Sequence, residues 1–228
     1  VENRIPPDSV GSPLITGGGG MNMAPALSPD GEYLVYISQR ELFSLDLYLA
    51  NANTGKVIRK LTTGETNAHF DALRFMDAAG AWSPDSKQFA FVVIKKGDNA
   101  ISIVNVNTGE VKRTIPVKDL DAIQHLAWSP GGDQLLITGS VGGISDLFLY
   151  GLKSGHLQKI TTGRYAEIQP SWGPAGEHIV FATDRGMETD LDEYVYSDMK
   201  LGIMDVNTFE ISLVSMGKDI KHINPYYR

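Results

Sequence analysis

The side chains best placed by type and spacing to do chemistry lie between Thr183 and Lys200, where Asp184, Glu188, Asp190, Asp192, Glu193 and Asp198 crowd around Arg185. Carboxylates at this density can ligate a hard cation through oxygen, so calcium is an occupant to weigh, although the spacing does not follow the twelve-residue EF-hand loop. Two carboxylates facing each other across a cleft could also share acid and base duties, as glycosidases require, but proximity in sequence does not build that cleft. Tyr194 and Tyr196 add aromatic area beside the charge, a mixture that suits protein recognition. His69 and Asp71 form a second ligand-like pair, short of the three or four ligands a metal needs. The chain has no His-Glu-x-x-His segment, no Gly-x-Ser-x-Gly nucleophile turn and no cysteine. His125, His156, His178 and His222 stand near turns or strand entrances and read as packing or surface residues. We therefore assign no catalytic residue and no required cofactor, with a cation at the acidic stretch left open.

The elements that would have to position these groups announce themselves as repeats. Ser28-Pro29-Asp30-Gly31, Ser83-Pro84-Asp85-Ser86, Ser129-Pro130-Gly131-Gly132 and Gly173-Pro174-Ala175-Gly176 start 55, 46 and 44 residues apart, the length of one β-propeller blade. Proline presets φ, aspartate accepts a nearby backbone hydrogen bond and glycine permits the exit, so Ser28 and Asp30 read as turn residues and not as nucleophile and acid. Trp82, Trp128 and Trp172 precede three of the turns, with Leu27 in the first, and recurrence at the fold period marks them as packing residues between blades. Apolar runs follow each turn at Tyr33–Ile37, Phe89–Ile94, Leu135–Thr138 and His178–Ala182, and again at Leu45–Leu49, Ile101–Val106, Asp146–Tyr150 and Leu201–Val206.

A polar turn closes each second run: Asn53–Lys56, Asn107–Glu110, Lys153–His156 and Asn207–Glu210. Phe209 stands where the others have glycine, which predicts a rearranged fourth turn. Leu61-Thr62-Thr63-Gly64 and Ile160-Thr161-Thr162-Gly163 read as the outer strand and its exit, and segments such as Ile123–Trp128 and Ala166–Trp172 as the strand before the Ser-Pro turn. The expected fold is all-β: a β-propeller with four visible four-stranded blades.

Together these turns and the later Asn-Thr-Gly and Leu-Thr-Thr-Gly signals resemble the TolB-like β-propeller repeat family over residues 21–228. The resemblance implies a propeller of six or more blades, used either as a periplasmic partner in envelope complexes or as a noncatalytic propeller attached to a peptidase or other hydrolase. Ile223-Asn224-Pro225-Tyr226-Tyr227 repeats the pattern of Ile168-Gln169-Pro170-Ser171-Trp172 55 residues on, as if a fifth repeat begins. The expected organisation is therefore the end of a preceding blade or a linker over residues 1–20, a partial propeller of four blades over 21–222, and the start of a further blade over 223–228. An open array would expose apolar packing surfaces at its ends, which favours a larger parent chain or a covering partner.

Composition narrows the partners. Twenty-seven acidic against twenty basic side chains give a net charge of -7 with no basic patch, which argues against nucleic acid. No stretch approaches eighteen apolar residues, so no membrane insertion is expected. The opening at Val1 leaves a processed protein, an excised domain and part of a longer chain all open. A periplasmic or secreted location follows from the resemblance alone. Gly64 and Trp82 are 18 residues apart against 9 for Gly163 and Trp172, so residues 65–79 form an insertion, with a short helix expected around Phe70–Ala78. Phe70, Leu73, Phe75 and Met76 within it read as a small satellite core or a partner-binding ridge. The contact candidates are Phe75, Asp190, Asp192, Tyr194 and Tyr196, and the expected partner is a protein or the rest of a larger parent. The functional expectation is a noncatalytic protein-binding or scaffolding propeller segment, the alternative an accessory propeller of a larger peptidase or other hydrolase that controls access or binds substrate.

Overall fold

The computed structural model describes residues 21–40, 45–62, 80–95, 97–186, 189–190, 192–193, 195–214 and 225. Among them, sixteen strands form four antiparallel four-stranded sheets, each paired in chain order. The first holds β1 (Asn22–Leu27), β2 (Tyr33–Ser38), β3 (Asp46–Asn51) and β4 (Val57–Lys60), and the second β5 (Ala81–Trp82), β6 (Gln88–Lys95), β7 (Asp98–Asn105) and β8 (Val111–Pro116). The third holds β9 (Ala122–Trp128), β10 (Gln134–Val141), β11 (Ile144–Gly151) and β12 (Leu157–Lys159), and the fourth β13 (Glu167–Trp172), β14 (His178–Thr183), β15 (Lys200–Asp205) and β16 (Ile211–Val214). The expected helix around Phe70–Ala78 lies outside the described residues, as do residues 1–20 and all of 223–228 except Pro225.

The middle strands are apolar on both faces, and the second and third sheets each sit between two neighbours. Val35, Ile37, Leu47 and Leu49 meet Phe89, Phe91 and Val93 across the first joint. Ile101, Ile103 and Ile115 meet Leu126, Leu135 and Phe148 across the second, and Leu136, Leu147 and Leu149 meet Trp172, Ile179 and Phe181 across the third. The first strand of each sheet is innermost: β5 touches β9, and β9 touches β13. Sheets packed face to face around their first strands make a propeller.

Each Ser-Pro turn is closed by its own side chains. The Ser28 hydroxyl donates to Asp30 Oδ1 at 2.5 Å and accepts the Tyr33 amide at 2.9 Å, and Ser83 repeats this with Asp85 and Gln88 at 2.6 and 2.9 Å. The serine hydroxyls, followed by backbone amides, hold Asp30 and Asp85 below the usual carboxylate range. Ser28 is buried and committed to this turn, which removes it as a nucleophile.

Two readings of the sequence need correction. Phe209 takes a left-handed φ of 58° and donates its amide to Asp205 O at 2.8 Å, as Gly55 does to Asn51 O at 2.9 Å, so the fourth outer turn is not rearranged. The strain of about 1–2 kcal/mol for a side chain at that φ is offset by packing of the ring on the third joint. Leu61 and Ile160 lie just past β4 and β12, not within them. They are buried plugs, and the threonines after them bond back to β3 and β11: Thr62 Oγ1 donates to Asp46 at 2.6 Å and Thr161 Oγ1 to Asp146 at 3.0 Å. Lys60 and Lys159 pair with the same buried aspartates at 2.8 and 2.6 Å.

Successive Ser-Pro turns also touch. The Asp30 amide donates to Ser86 Oγ at 3.1 Å, and a β-carbon added to Gly132, at φ 75°, would stand 3.3 Å from Pro84 Cγ. Gly132→Ala is therefore expected to destabilise by about 1–2 kcal/mol, from left-handed strain plus crowding of Pro84. A urea titration checks this, and an unchanged midpoint would show that the second and third turns do not pack.

Candidate functional site

The chain reversals sort onto two faces. Ser-Pro turns and outer turns lie on one, and the β2–β3, β6–β7, β10–β11 and β14–β15 connections lie on the other, with the exits to the next sheet. Both insertions leave and return on this second face, residues 65–79 between Leu61-Thr62 and Gly80, and residues 184–199 between Thr183 and Lys200.

A concave surface lies on the first face. Inner strands from all four sheets end around a cavity of ≈ 520 Å³ lined by Pro29, Pro84, Pro130 and Pro174 and by the indoles of Trp82, Trp128 and Trp172. Among the described residues, no charged side chain lines it. Ala26, Ala81, Ala127 and Ser171 stand one residue before the tryptophan position in the four sheets, and the small size of the three alanines leaves room for the next sheet's indole. Trp82 Nε1 donates to Ala26 O at 2.9 Å and Trp172 Nε1 to Ala127 O at 3.4 Å. Such a cavity can hold apolar side chains of a ligand or protein segment.

On the other face, the acidic insertion is pinned at its start. Arg185 Nε donates to Glu167 Oε1 at 2.7 Å, its guanidinium bonds Thr162 O, and it lies 4.5 Å over the Tyr165 ring. Asp184 Oδ1 accepts the Ala166 amide at 2.8 Å. Glu167 is fully buried, and its Oε2 has no hydrogen-bond partner among the described residues. Burial pushes its carboxyl up to about 7, against the pull of Arg185 and with a further push from the charge of Asp146. A fully buried carboxyl cannot reach substrate, so this group ties structure together.

Of the candidates read from sequence, Asp190 is a turn residue: it exchanges amide bonds with Val195 at 2.9 and 2.8 Å, and its Oδ1 caps the amides of Asp192 and Glu193. Asp192 is exposed, as are Val195 at 47% and Tyr196 at 51%, the makings of an acidic tip flanked by apolar side chains. Phe75 and Tyr194, like His69 and Asp71, lie outside the described residues. Among the described residues no three acidic or histidine side chains converge as a metal site would require. Sequence reasoning placed the tryptophans in the joints but missed the cavity they share. The signal was a small residue before each tryptophan position and a proline two residues after it.

Residues 74–210 match the family model described as the TolB beta propeller domain. The chain is 28% identical over 166 residues to the uncharacterized peptidase YuxL of Bacillus subtilis, covering 73% of this chain and 22% of that protein. It is 28% identical over 163 residues to an uncharacterized protein of Agrobacterium fabrum, covering 71% of this chain and 50% of the other. The solved structure of TolB from Acinetobacter baumannii superposes with a TM-score of 0.65 at 20% identity, over 85% of this chain and 43% of that one. The chain thus spans half or less of the length of each.

Proposed function

Because the chain belongs to the TolB β-propeller domain family, we propose that it acts by binding protein and not by catalysis, as a recognition and scaffolding propeller outside the cytoplasm. The observation that carries this reading is the uncharged, tryptophan- and proline-lined mouth to which all four sheets contribute. Aromatic anchors in a desolvated pocket are what protein interfaces use for affinity. Around the opposite rim, Asp192 and Tyr196 supply a second contact surface. The likeness to the Bacillus peptidase supports a second reading, an accessory propeller whose mouth admits or holds peptide for a neighbouring hydrolase.

Photo-crosslinking in the native host tests the proposal, with the crosslinker at Pro84 on the mouth, at Tyr196 on the acidic tip, or at Ile58 on an outer strand. One discrete protein adduct at Pro84 or Tyr196, absent at Ile58, is the expected result. The same adducts at all three positions would remove both surfaces as specific sites. Tyr196→Ala is expected to change stability by less than about 0.5 kcal/mol, because the ring is exposed, while reducing the adduct formed by a crosslinker placed at Asp192. Thermal melting beside crosslink yield separates the two effects.

A further inference from the structure

The three tryptophans at the mouth are not equivalent. Trp82 and Trp172 are buried, and their N–H groups are spent on Ala26 O and Ala127 O across the first and third joints. Trp128 is only half-buried, and its Nε1, which lies out of water, has no hydrogen-bond acceptor among the described residues. A covered donor without an acceptor is unfavourable, so a ligand that brings an acceptor gains more than its contact area. The rest of the wall is apolar: Leu27, Pro29, Pro84 and Pro174 are exposed into or beside the cavity, and among the described residues no charged side chain joins them.

This lining discriminates between kinds of protein segment. A helix holds its carbonyls in its own hydrogen bonds. A β-strand brings amides that need acceptors, whereas the Ala26 and Ala127 carbonyls are already engaged. A proline-rich segment has no amide hydrogen at its prolines, keeps its carbonyls free in the polyproline II conformation, and presents rings that pack on indoles. It also arrives stiff, so binding costs it less conformational entropy. Aromatic-lined grooves are a general means of holding such segments.

We propose that the mouth takes an uncharged, proline-rich segment of a partner protein in the polyproline II conformation. Its rings lie against the indoles and the exposed prolines, and the half-buried Trp128 ring turns toward the cavity it lines to give its N–H to one ligand carbonyl. This ligand class rests on the mouth being the protein-binding surface and adds the chemistry by which it selects.

Fluorescein-labelled octaproline and an alternating alanine-serine octapeptide are titrated into the protein as its host makes it, with anisotropy as the readout and the Pro84 crosslinker run in parallel. Octaproline is expected to bind saturably and about tenfold or more tighter than the control peptide. Leu27→Glu, which sets a carboxylate on the exposed wall, should weaken octaproline about tenfold or more. Trp128→Phe, which keeps a ring and deletes the N–H, should weaken it about fivefold. Melting curves establish that each variant is folded, and if Trp128→Phe is not, Leu27→Glu decides the site. Equal binding of the two peptides, or unchanged octaproline affinity in a folded variant, would overturn the proposal. Octaproline unbound while Pro84 still captures one discrete protein would overturn the proline-rich class and leave protein recognition at the mouth standing. Octaproline unbound with no adduct at Pro84 would overturn both.

Discussion

Trp82→Ala is expected to destabilise the protein by about 3–5 kcal/mol, the usual cost of emptying a buried aromatic site. The indole is 8% exposed, meets Phe89 edge-on at 5.3 Å and Tyr33 at 6.5 Å, and donates its N–H across the first joint to Ala26 O. Truncation therefore removes packing on two sheets and strips a hydrogen bond. At two to four degrees per kcal/mol for a chain of this size, the melting temperature should fall by about 10 °C. Leu27→Ala, at the equivalent position in the first sheet, is the internal control: the side chain is 59% exposed and should cost less than about 1 kcal/mol. Equal losses from the two would mean that the tryptophan does not hold the joint.

A second large effect is expected at the base of the acidic insertion, where it depends on pH. Burial raises Glu167 from 4.5 to about 7 in the folded chain. The folded state thus binds the extra proton between those values, and the stability it contributes is present below about pH 4.5 and lost as pH rises through about 7. The amount is on the order of 3 kcal/mol. Asp184, raised by burial, slopes the same way, while Asp30, Asp85 and Asp205 are held low and act in more acidic solution. Arg185→Met leaves the ionised carboxylate buried and unpaired, so it should cost about 3–5 kcal/mol at pH 8 and clearly less at pH 5, where Glu167 carries its proton. Glu167→Gln should flatten the slope between these pH values. Denaturant titrations across the range decide it, and a loss in Arg185→Met that is the same at pH 5 and pH 8 would show that Glu167 stays ionised throughout.

The fold was legible because its period is written in residues with one dominant use. Proline, aspartate and glycine in Ser-Pro-Asp-Gly have a turn mechanism that neighbours do not override, and each tryptophan falls at the same offset from its turn. Local rules failed where tertiary packing overrode them. Phe209 accepts a conformation that glycine would take more cheaply, because its ring is wanted by the third joint. Leu61 and Ile160 look like strand residues but plug the core just past the outer strands.

The site was harder to read for the same reason. Asp190, a contact candidate in the sequence, also caps its own turn, because short carboxylates bond nearby backbone amides. Glu167 and Arg185 stand 18 residues apart and are brought together only by the return of β14 beside β13. The mouth is assembled from equivalent residues 44 to 145 positions apart, each of which reads locally as a turn or a packing residue.

Recognition of protein at that mouth is the central claim. Hydrogen–deuterium exchange of the protein with and without the partner captured by crosslinking tests it most directly. Slowed exchange confined to residues 26–30, 81–84, 126–130 and 171–174, with the outer strands β4, β8, β12 and β16 unchanged, is the predicted result. Protection restricted to the outer strands, with none at the mouth, would contradict it.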